Sequence, residues 1–263
     1  MSLGWNPALV QYGTAQRAAG RASGTIGLHR HYLTGLAAAH PRPWSVTTPQ
    51  LLAYLAVEHW APETRKSARG AVRGFYRWAY GSGHVARDPA ADLPSVRVPQ
   101  GRARPAPEHL VRRLTGGDDR LAFMAGLAAH AGLRRGEIAQ VHSRDLVGDL
   151  LLVHGKGGRV REVPVVNVAL LDRLQGVQGW AFPNGLGSHL SPGHVGRLLS
   201  AAMPEGWSGH KLRHRCGTRA YAGTRDLLAV MELLGHSRPE TTQRYVLLPD
   251  DAVRAAVAGA ELN

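Results

Sequence analysis

Three shortages limit what this chain of 263 residues can be. Its one cysteine, Cys216, excludes a disulfide within the chain and a zinc site built on cysteine ligands. Uninterrupted apolar runs stay well below the roughly 18 residues of a transmembrane helix. The first residues, MSLGWNPALVQYG, lack the basic start and apolar centre of a secretory signal. We therefore expect a cytoplasmic protein with no membrane partner.

Acidic residues are also few. Asp and Glu total 19 against 32 Lys and Arg, which gives a formal net charge of +13. This excess favours a polyanionic partner, with nucleic acid first and an anionic membrane surface second. A basic surface that is merely solvated is the other interpretation. Hydrophobic residues make up 44% of the chain, so a packed core is expected, and the length accommodates two domains.

Prolines separate two segments of different character. The stretch LPSVRVPQGRARPAPEHL, residues 93–110, contains four prolines, which resist helix continuation and favour extended backbone. We expect residues 93–107 to form a linker. It would join a helical DNA-binding domain at 1–92 to a second domain at 108–263.

The first segment contains a basic helix. TPQLLAYLAVEHW predicts a helix that starts at Thr48, with Pro49 at its first position, and APETRKSARGAVRGFYRWAYGSG predicts another that ends at Gly81 and Gly83. Basic residues recur at three or four positions along the latter and share much of one face. We predict that this face contacts DNA phosphates, and a solvated helix face is the alternative. The basic residues are Arg65, Lys66, Arg69, Arg73 and Arg77.

The second segment predicts helices around two short strands. DLVGDLLLVHGKGGRVREVPVV indicates a hairpin whose glycine-rich tip carries Lys156. The tip is not a Walker loop, because no GxxxxGK[ST] pattern occurs. The expected fold class is therefore mainly α with a small antiparallel β-sheet, divided into an N-terminal helical domain and an α+β domain.

Several polar residues stand where a side chain can be aimed at a ligand. Arg134 lies at a break between two helices, after Gly132, and Glu137 lies in the first turns of the next helix. His210 and Arg213 are three positions apart and share one face of a helix. A guanidinium matches phosphate oxygens and an imidazole can move a proton, so this pair suits a phosphate.

Two further histidines and a tyrosine complete the set. His214 adjoins the pair and has a structural interpretation, whereas His236 and Tyr245 lie nine positions apart near the C-terminus. An isolated tyrosine is usually structural. No HExxH motif or carboxylate cluster occurs, so we expect no metal site and no cofactor.

Taken in order, these residues resemble the active site of the tyrosine recombinases, the family of phage integrases and Xer-type recombinases. The matching segments are AGLRRGEI, GKGGRVREVPV, HKLRH and LLGHSRPETTQRY, which span most of residues 120–247. All six catalytic residue types of the family are present in the family's order. They are Arg134, Lys156, His210, Arg213, His236 and Tyr245.

The resemblance implies a two-domain clamp on double-stranded DNA and cleavage through a 3′-phosphotyrosyl link on Tyr245. Arg134 and Arg213 would bind the non-bridging oxygens, and Lys156 would protonate the leaving 5′-oxygen. His210 and His236 would accept the tyrosine proton or bind the phosphate, with the division between them open. Glu137 would support the pocket, with a capping or surface acid as the alternative. Protein cations would stabilise the charge, so no metal is implied.

Assembly and biological role follow from the same resemblance. DDAVRAAVAGAEL, near the C-terminus, predicts a tail helix that packs on its own domain or docks on a neighbouring subunit. The implied assembly is a homotetramer on two DNA sites, with a monomer in the absence of DNA. The implied role is integration and excision of phage or mobile-element DNA. Xer-type dimer resolution, a type IB topoisomerase and a non-catalytic DNA-binding regulator are the alternatives.

Overall fold

The computed structural model describes residues 4–99, 105–155 and 157–236. The chain divides into two compact units, Met1–Gln100 and Gly101–Asn263. The described residues are mostly helical with one small antiparallel sheet, which confirms the predicted fold class. No helix in these three ranges is both long and apolar enough to cross a membrane.

The first unit is helical. Its helices are α1 (Trp5–Ala18), α2 (Ser23–Ala39), α3 (Thr48–Leu55) and α4 (Pro62–Gly81). Phe75 on α4 is fully buried at the centre of an aromatic core, where it stacks on Trp5 and meets the edge of Tyr12. Stacked and edge-to-face ring pairs add to the burial of apolar area, so this cluster anchors the unit.

The helix boundaries follow their capping residues. The helix α3 starts at Thr48, as predicted, but Pro49 is at its second position rather than its first. Thr47 caps the helix, and its backbone N–H donates to the Gln50 side chain at 2.9 Å in a capping box. Pro62 occupies the first position of α4, where its missing N–H has no helical partner to lose. The helix ends at Gly81, as predicted, and the chain turns at Gly83 with φ of 73°.

The second unit packs its helices around α6, which is buried along almost its whole length. Helices α5 and α10 lie against it. The helices are α5 (Glu108–Thr115), α6 (Arg120–Ala129), α7 (Arg135–Ala139), α8 (Val168–Gln175), α9 (Pro192–Ala201), α10 (Gly209–Thr224) and α11 (Leu227–Leu234). Asp119 caps α6 and Asp226 caps α11, each accepting backbone N–H bonds of its helix.

The sheet has three antiparallel strands in the order β1 (Leu146–Val147), β2 (Leu150–His154) and β3 (Val160–Pro164). The strands β2 and β3 form the predicted hairpin, and β1 is an additional two-residue strand too short for a periodicity to reveal. Alternate residues point inward, so Leu151, Val153 and Val163 are buried. Arg161 takes the remaining inward position on β3 and pairs in register with Val153.

The two ends of the predicted linker are buried in different units. Leu93 is buried in the core of the first unit and Ala106 in that of the second. Residues 94–99 contain no helix or strand, and residues 100–104 lie outside the described residues. The domain bounds 1–92, 93–107 and 108–263 stay predictions.

Candidate functional site

A tight turn presents Arg134 and Glu137 at the start of α7. Gly132 adopts φ of 68°, and a Cβ at this position would lie 2.8 Å from Leu234 Cδ2. Glycine is therefore required both by the backbone angle and by the close approach of α11. Arg134 then caps α7, and its backbone N–H donates to Glu137 Oε2 at 2.9 Å. Glu137 thus caps its helix, as one of the two interpretations held, but it is only 5% exposed and is not a surface acid.

Three arginines surround the Glu137 carboxylate. Arg161 donates to both of its oxygens, at 3.1 and 2.9 Å. Arg134 Nη1 donates to Oε1 at 2.6 Å, and Arg213 Nη1 lies 3.7 Å from Oε2. Burial by itself would raise the pKa of Glu137, but the hydrogen bonds from Arg161 and Arg134 outweigh it, so the pKa lies below its ordinary value. Glu137 is therefore ionised at neutral pH.

The same three arginines hold the C-terminal end of α11. Arg161 Nε donates to the carbonyl of Leu233 at 2.9 Å, and Arg134 Nη2 donates to that of Gly235 at 3.1 Å. Arg213 Nη2 donates to the carbonyl of Leu234 between them. The last carbonyls of a helix have no partner within it and carry partial negative charge. The helix has an ordinary glycine cap as well, because the N–H of Gly235 donates to the carbonyl of Glu232 and the N–H of His236 to that of Met231. The guanidinium groups bind the three carbonyls that follow these two.

His236 follows this helix end directly. Its Nε2 lies 3.0 Å from Arg213 Nη2. Arginine can only donate, so Nε2 is the acceptor and the neutral imidazole carries its proton on Nδ1. Burial is the main cause that lowers the pKa of His236 to about 3, and the charges of Arg213 and Arg134 add to it. His236 is therefore neutral at physiological pH.

His210 lies at the start of α10 and is exposed. Its ring is 4.2 Å from that of His214, one turn further along, with an angle of 67° between the planes. Arg213, on the same helix, is only 1% exposed. His210 and Arg213 therefore lie on one helix at different depths, with Arg213 buried and His210 exposed.

A cavity of about 540 Å³ opens over this cluster. Its wall contains the side chains of Arg134, Glu137, His210 and Arg213. On one side it reaches His154 and Gly155, at the base of the hairpin tip. A cavity of this volume, with cations at its base and imidazole at its rim, can hold an anionic group such as a phosphate.

The part of the chain that forms this cavity matches a known family model. The model of the phage integrase family covers residues 111–250, slightly more than half of the chain. The chain belongs to the phage integrase family. Its members include the tyrosine recombinases, and this chain is a site-specific recombinase that transfers DNA strands.

Curated relatives agree with this assignment. The recombinase is 33% identical to the tyrosine recombinase XerD of Caulobacter vibrioides over 70% of each chain. It is 32% identical to the tyrosine recombinase XerC of Xylella fastidiosa over 76% of each chain.

Solved structures share the fold. A lambda integrase dimer bound to a COC′ core site superimposes with a TM-score of 0.72 at 19% identity, over all of this chain and 80% of that one. The XerH recombinase bound to its difH substrate gives a TM-score of 0.65 at 18% identity, over 90% of this chain and 80% of that one.

Four of the six predicted catalytic residues of the recombinase meet in one place. Arg134, Arg213 and His236 are joined through Glu137 and the end of α11, and His210 lines the same cavity. Lys156 and Tyr245 lie outside the described residues. Gly155 and Gly157, which the structure describes, lie between β2 and β3.

Arg161 is the site residue that the sequence interpretation missed. A signal for it exists, because VREVPV alternates along β3 and puts Arg161 at an inward position, where a hydrophobic residue is usual. An inward arginine needs a buried acceptor. The sequence gives no indication that this acceptor is Glu137, 24 positions earlier in the chain.

The basic face of α4 serves partly to hold the first unit together. Arg65 donates to the carbonyls of Leu55 and Val57 at 2.8 and 2.9 Å. Arg69 donates to the carbonyl of Leu93 at 2.6 Å. Arg73 reaches the carbonyl of Ala91 only at 3.4 Å, whereas Lys66 and Arg77 are exposed. A single face was predicted, but the guanidinium groups of these three arginines donate to carbonyls in the segments that flank the helix.

Proposed function

We propose that this recombinase cleaves and rejoins double-stranded DNA at specific sites through a 3′-phosphotyrosyl intermediate on Tyr245. The arginine cluster around Glu137 is the observation that carries the proposal. Three guanidinium groups meet one carboxylate beneath an open cavity, so this cluster of four side chains has an excess of two positive charges. A phosphodiester supplies a negative charge and oxygen acceptors, which such a site binds strongly.

The reaction needs no external energy. The Tyr245 oxygen attacks the scissile phosphorus, and the bond from phosphorus to the 5′-oxygen breaks as Lys156 gives that oxygen a proton. Attack by a 5′-hydroxyl then reverses the step and releases the tyrosine. Arg134 and Arg213 bind the non-bridging oxygens and stabilise the charge that develops on them. Donors fixed in advance in this way are worth roughly 3–4 kcal/mol each.

The two histidines have different surroundings, which supports a division of roles. His236 is neutral with its proton on Nδ1, so it donates a hydrogen bond to a phosphate oxygen. His210 is exposed at the rim of the cavity, where it accepts the proton of the attacking tyrosine. The cations that support this chemistry belong to the protein, and the proposal assigns no role to a metal or cofactor.

Covalent trapping tests the nucleophile. Residues 111–250 contain two tyrosines, Tyr221 and Tyr245, so Tyr221→Phe is a matched control. We expect Tyr245→Phe to bind DNA and form no adduct that survives denaturation, because only the hydroxyl is lost. Tyr221→Phe should form the adduct normally. An adduct formed by Tyr245→Phe would overturn the assignment, and absence of an adduct with the wild-type enzyme under all DNA conditions would favour a non-catalytic regulator.

Integration and excision of phage or mobile-element DNA is the biological role that we propose. Resolution of chromosome or plasmid dimers is the second candidate, because the chain is similar to XerD and XerC as well as to the phage integrase model. Both reactions act on DNA in the host cytoplasm, and a homotetramer on two sites is part of the proposal.

Mapping of covalent adducts across the host chromosome distinguishes the two roles. Adducts at DNA that flanks the recombinase gene itself support integration, whereas adducts at one remote chromosomal site support dimer resolution. Relaxation of plasmids irrespective of sequence would instead indicate a topoisomerase.

A further inference from the structure

Arg161 directs its whole guanidinium group at protein acceptors. Nη1 and Nη2 bind the two oxygens of Glu137 at 3.1 and 2.9 Å, and Nε binds the carbonyl of Leu233 at 2.9 Å. The residue is 8% exposed and lies on the inward side of β3. An arginine placed in this way connects three separate elements of the second unit, namely β3, α7 and α11.

The end of α11 fits closely around this arginine. Gly235 adopts φ of 58°, and a Cβ there would lie 2.9 Å from Arg161 Nη1 and 3.1 Å from its Cδ. Glycine is thus required for the contact as well as for the backbone angle. The next residue is His236, so the position of its imidazole depends on where this helix end is held.

The hairpin of β2 and β3 also adjoins Glu137. Arg161 lies five positions after Lys156 in the same hairpin, and its strand partner is Val153. Across the hairpin, a Cβ at Gly155 would be 3.9 Å from Glu137 Oε1. The carboxylate that Arg161 holds therefore adjoins the base of the tip, and it also binds Arg134 and approaches Arg213.

We propose that Arg161 is a positioning residue, which clamps Glu137 to the end of α11 and thereby sets the relative placement of Arg134, Arg213 and His236. It does so without contact to the DNA. This inference rests on the proposed function of those three residues. The bidentate fork is essential to it, because lysine keeps the positive charge but cannot bind both carboxylate oxygens and a backbone carbonyl in one plane.

The test compares Arg161→Lys with Arg215→Lys. Arg215 makes a second bidentate pair in the same unit, with Glu108 at 2.9 and 2.7 Å, and its side chain also donates to the carbonyl of Ala129 rather than to Glu137. For each variant, the single-turnover rate of covalent attachment, the Kd for DNA and the midpoint of thermal unfolding are measured. We expect Arg161→Lys to cleave about 100-fold more slowly, as a misplacement of about 1 Å does, with a Kd within about threefold of wild type. Arg215→Lys should cleave at the wild-type rate.

The outcomes separate positioning from simple stabilisation. A cleavage rate of Arg161→Lys within about threefold of wild type overturns the inference. The inference is also overturned if the cleavage rate of Arg161→Lys falls only in proportion to its DNA affinity. It is overturned as well if Arg215→Lys, with the same unfolding midpoint, loses as much cleavage rate as Arg161→Lys. If adduct formation requires Tyr245 but Arg161→Lys cleaves at the wild-type rate, the positioning role is refuted and the proposed function still holds.

A double-variant cycle checks that the effect passes through Glu137. Residues that act through one another give non-additive losses. We expect Arg161→Lys combined with Glu137→Gln to cleave no more slowly than the slower single variant. A rate equal to the product of the two separate losses would show that Arg161 acts by another route, and would overturn the clamp.

Discussion

Neutralising Glu137 should destabilise the second unit strongly. The carboxylate is 5% exposed and accepts hydrogen bonds from Arg161 and Arg134. Glu137→Gln keeps the size of the side chain but removes its charge. It also places an amide N–H₂ group where one oxygen accepts from a guanidinium, so two donors face each other. The arginines around it would then share a buried region without their counter-ion.

The magnitude follows from the exposure of each pair. Removing one member of a buried ion pair costs about 3–5 kcal/mol. The ion pair of Glu137 with Arg161 counts as fully buried, because its two side chains are 4% and 6% exposed. The Arg134 side chain is 38% exposed, so water screens that pair and we add little for it. We therefore expect the free energy of unfolding to fall by about 3–4 kcal/mol at pH 7.

The pH dependence gives an independent check with a definite sign. The pKa of folded Glu137 lies below its ordinary value of 4.5, so the stability it provides is present above pH 4.5 and is lost as the pH falls through the folded value. The wild-type protein should lose this part of its stability on acidification. Glu137→Gln has no carboxylate at this position to protonate and should lack that loss.

Native-state hydrogen exchange of the buried α6 amides measures opening of the second unit by itself. Glu162→Gln is the matched control, because it makes the same change at an exposed position on β3 and should alter stability by less than about 0.5 kcal/mol. Added sulfate should stabilise Glu137→Gln more than wild type. A loss below about 1 kcal/mol in Glu137→Gln would refute the view that this carboxylate neutralises the buried arginines.

Three further predictions concern four residues. His236 should show no protonation by NMR down to pH 5, because its pKa is about 3, and a titration near pH 6 would contradict the buried, cation-flanked site. Lys156→Ala should cleave ordinary DNA far more slowly yet recover with sulfur at the bridging 5′ position. A thiol of pKa about 8.5 leaves without an acid whereas an alkoxide does not, so equal slowness on both substrates would exclude the acid role. Lys66→Ala should reduce the slope of log K for DNA binding against log salt concentration by about 0.9. Arg69→Ala should mainly lower the midpoint of thermal unfolding, because it loses the hydrogen bond to the carbonyl of Leu93. If binding and melting assays show the reverse, the proposed division of the α4 face is refuted.

The sequence allowed the helices, the hairpin and the membership of Arg134, His210, Arg213 and His236 in one site to be predicted. Apolar periodicity reports which face of an element is buried, and glycine and proline report where elements end. The order and spacing of the polar residues carried the family resemblance, and the family match confirmed it. These signals are local, or depend on order along the chain, so they need no knowledge of packing.

The partners of the buried charges were decided by the tertiary structure. Arg161 meets Glu137 across 24 positions and Leu233 across 72, and no local pattern encodes either distance. Arg65 and Arg69 share their helix face with Lys66 in the sequence, yet they bind carbonyls of their own unit. Periodicity tells which residues turn inward, but an inward charge is satisfied by whichever acceptor the packing of distant elements brings to it. The sequence by itself thus determined the types and the order of the candidate site residues, and only the fold decided that Arg134, Arg161 and Arg213 meet at Glu137 and at the end of α11.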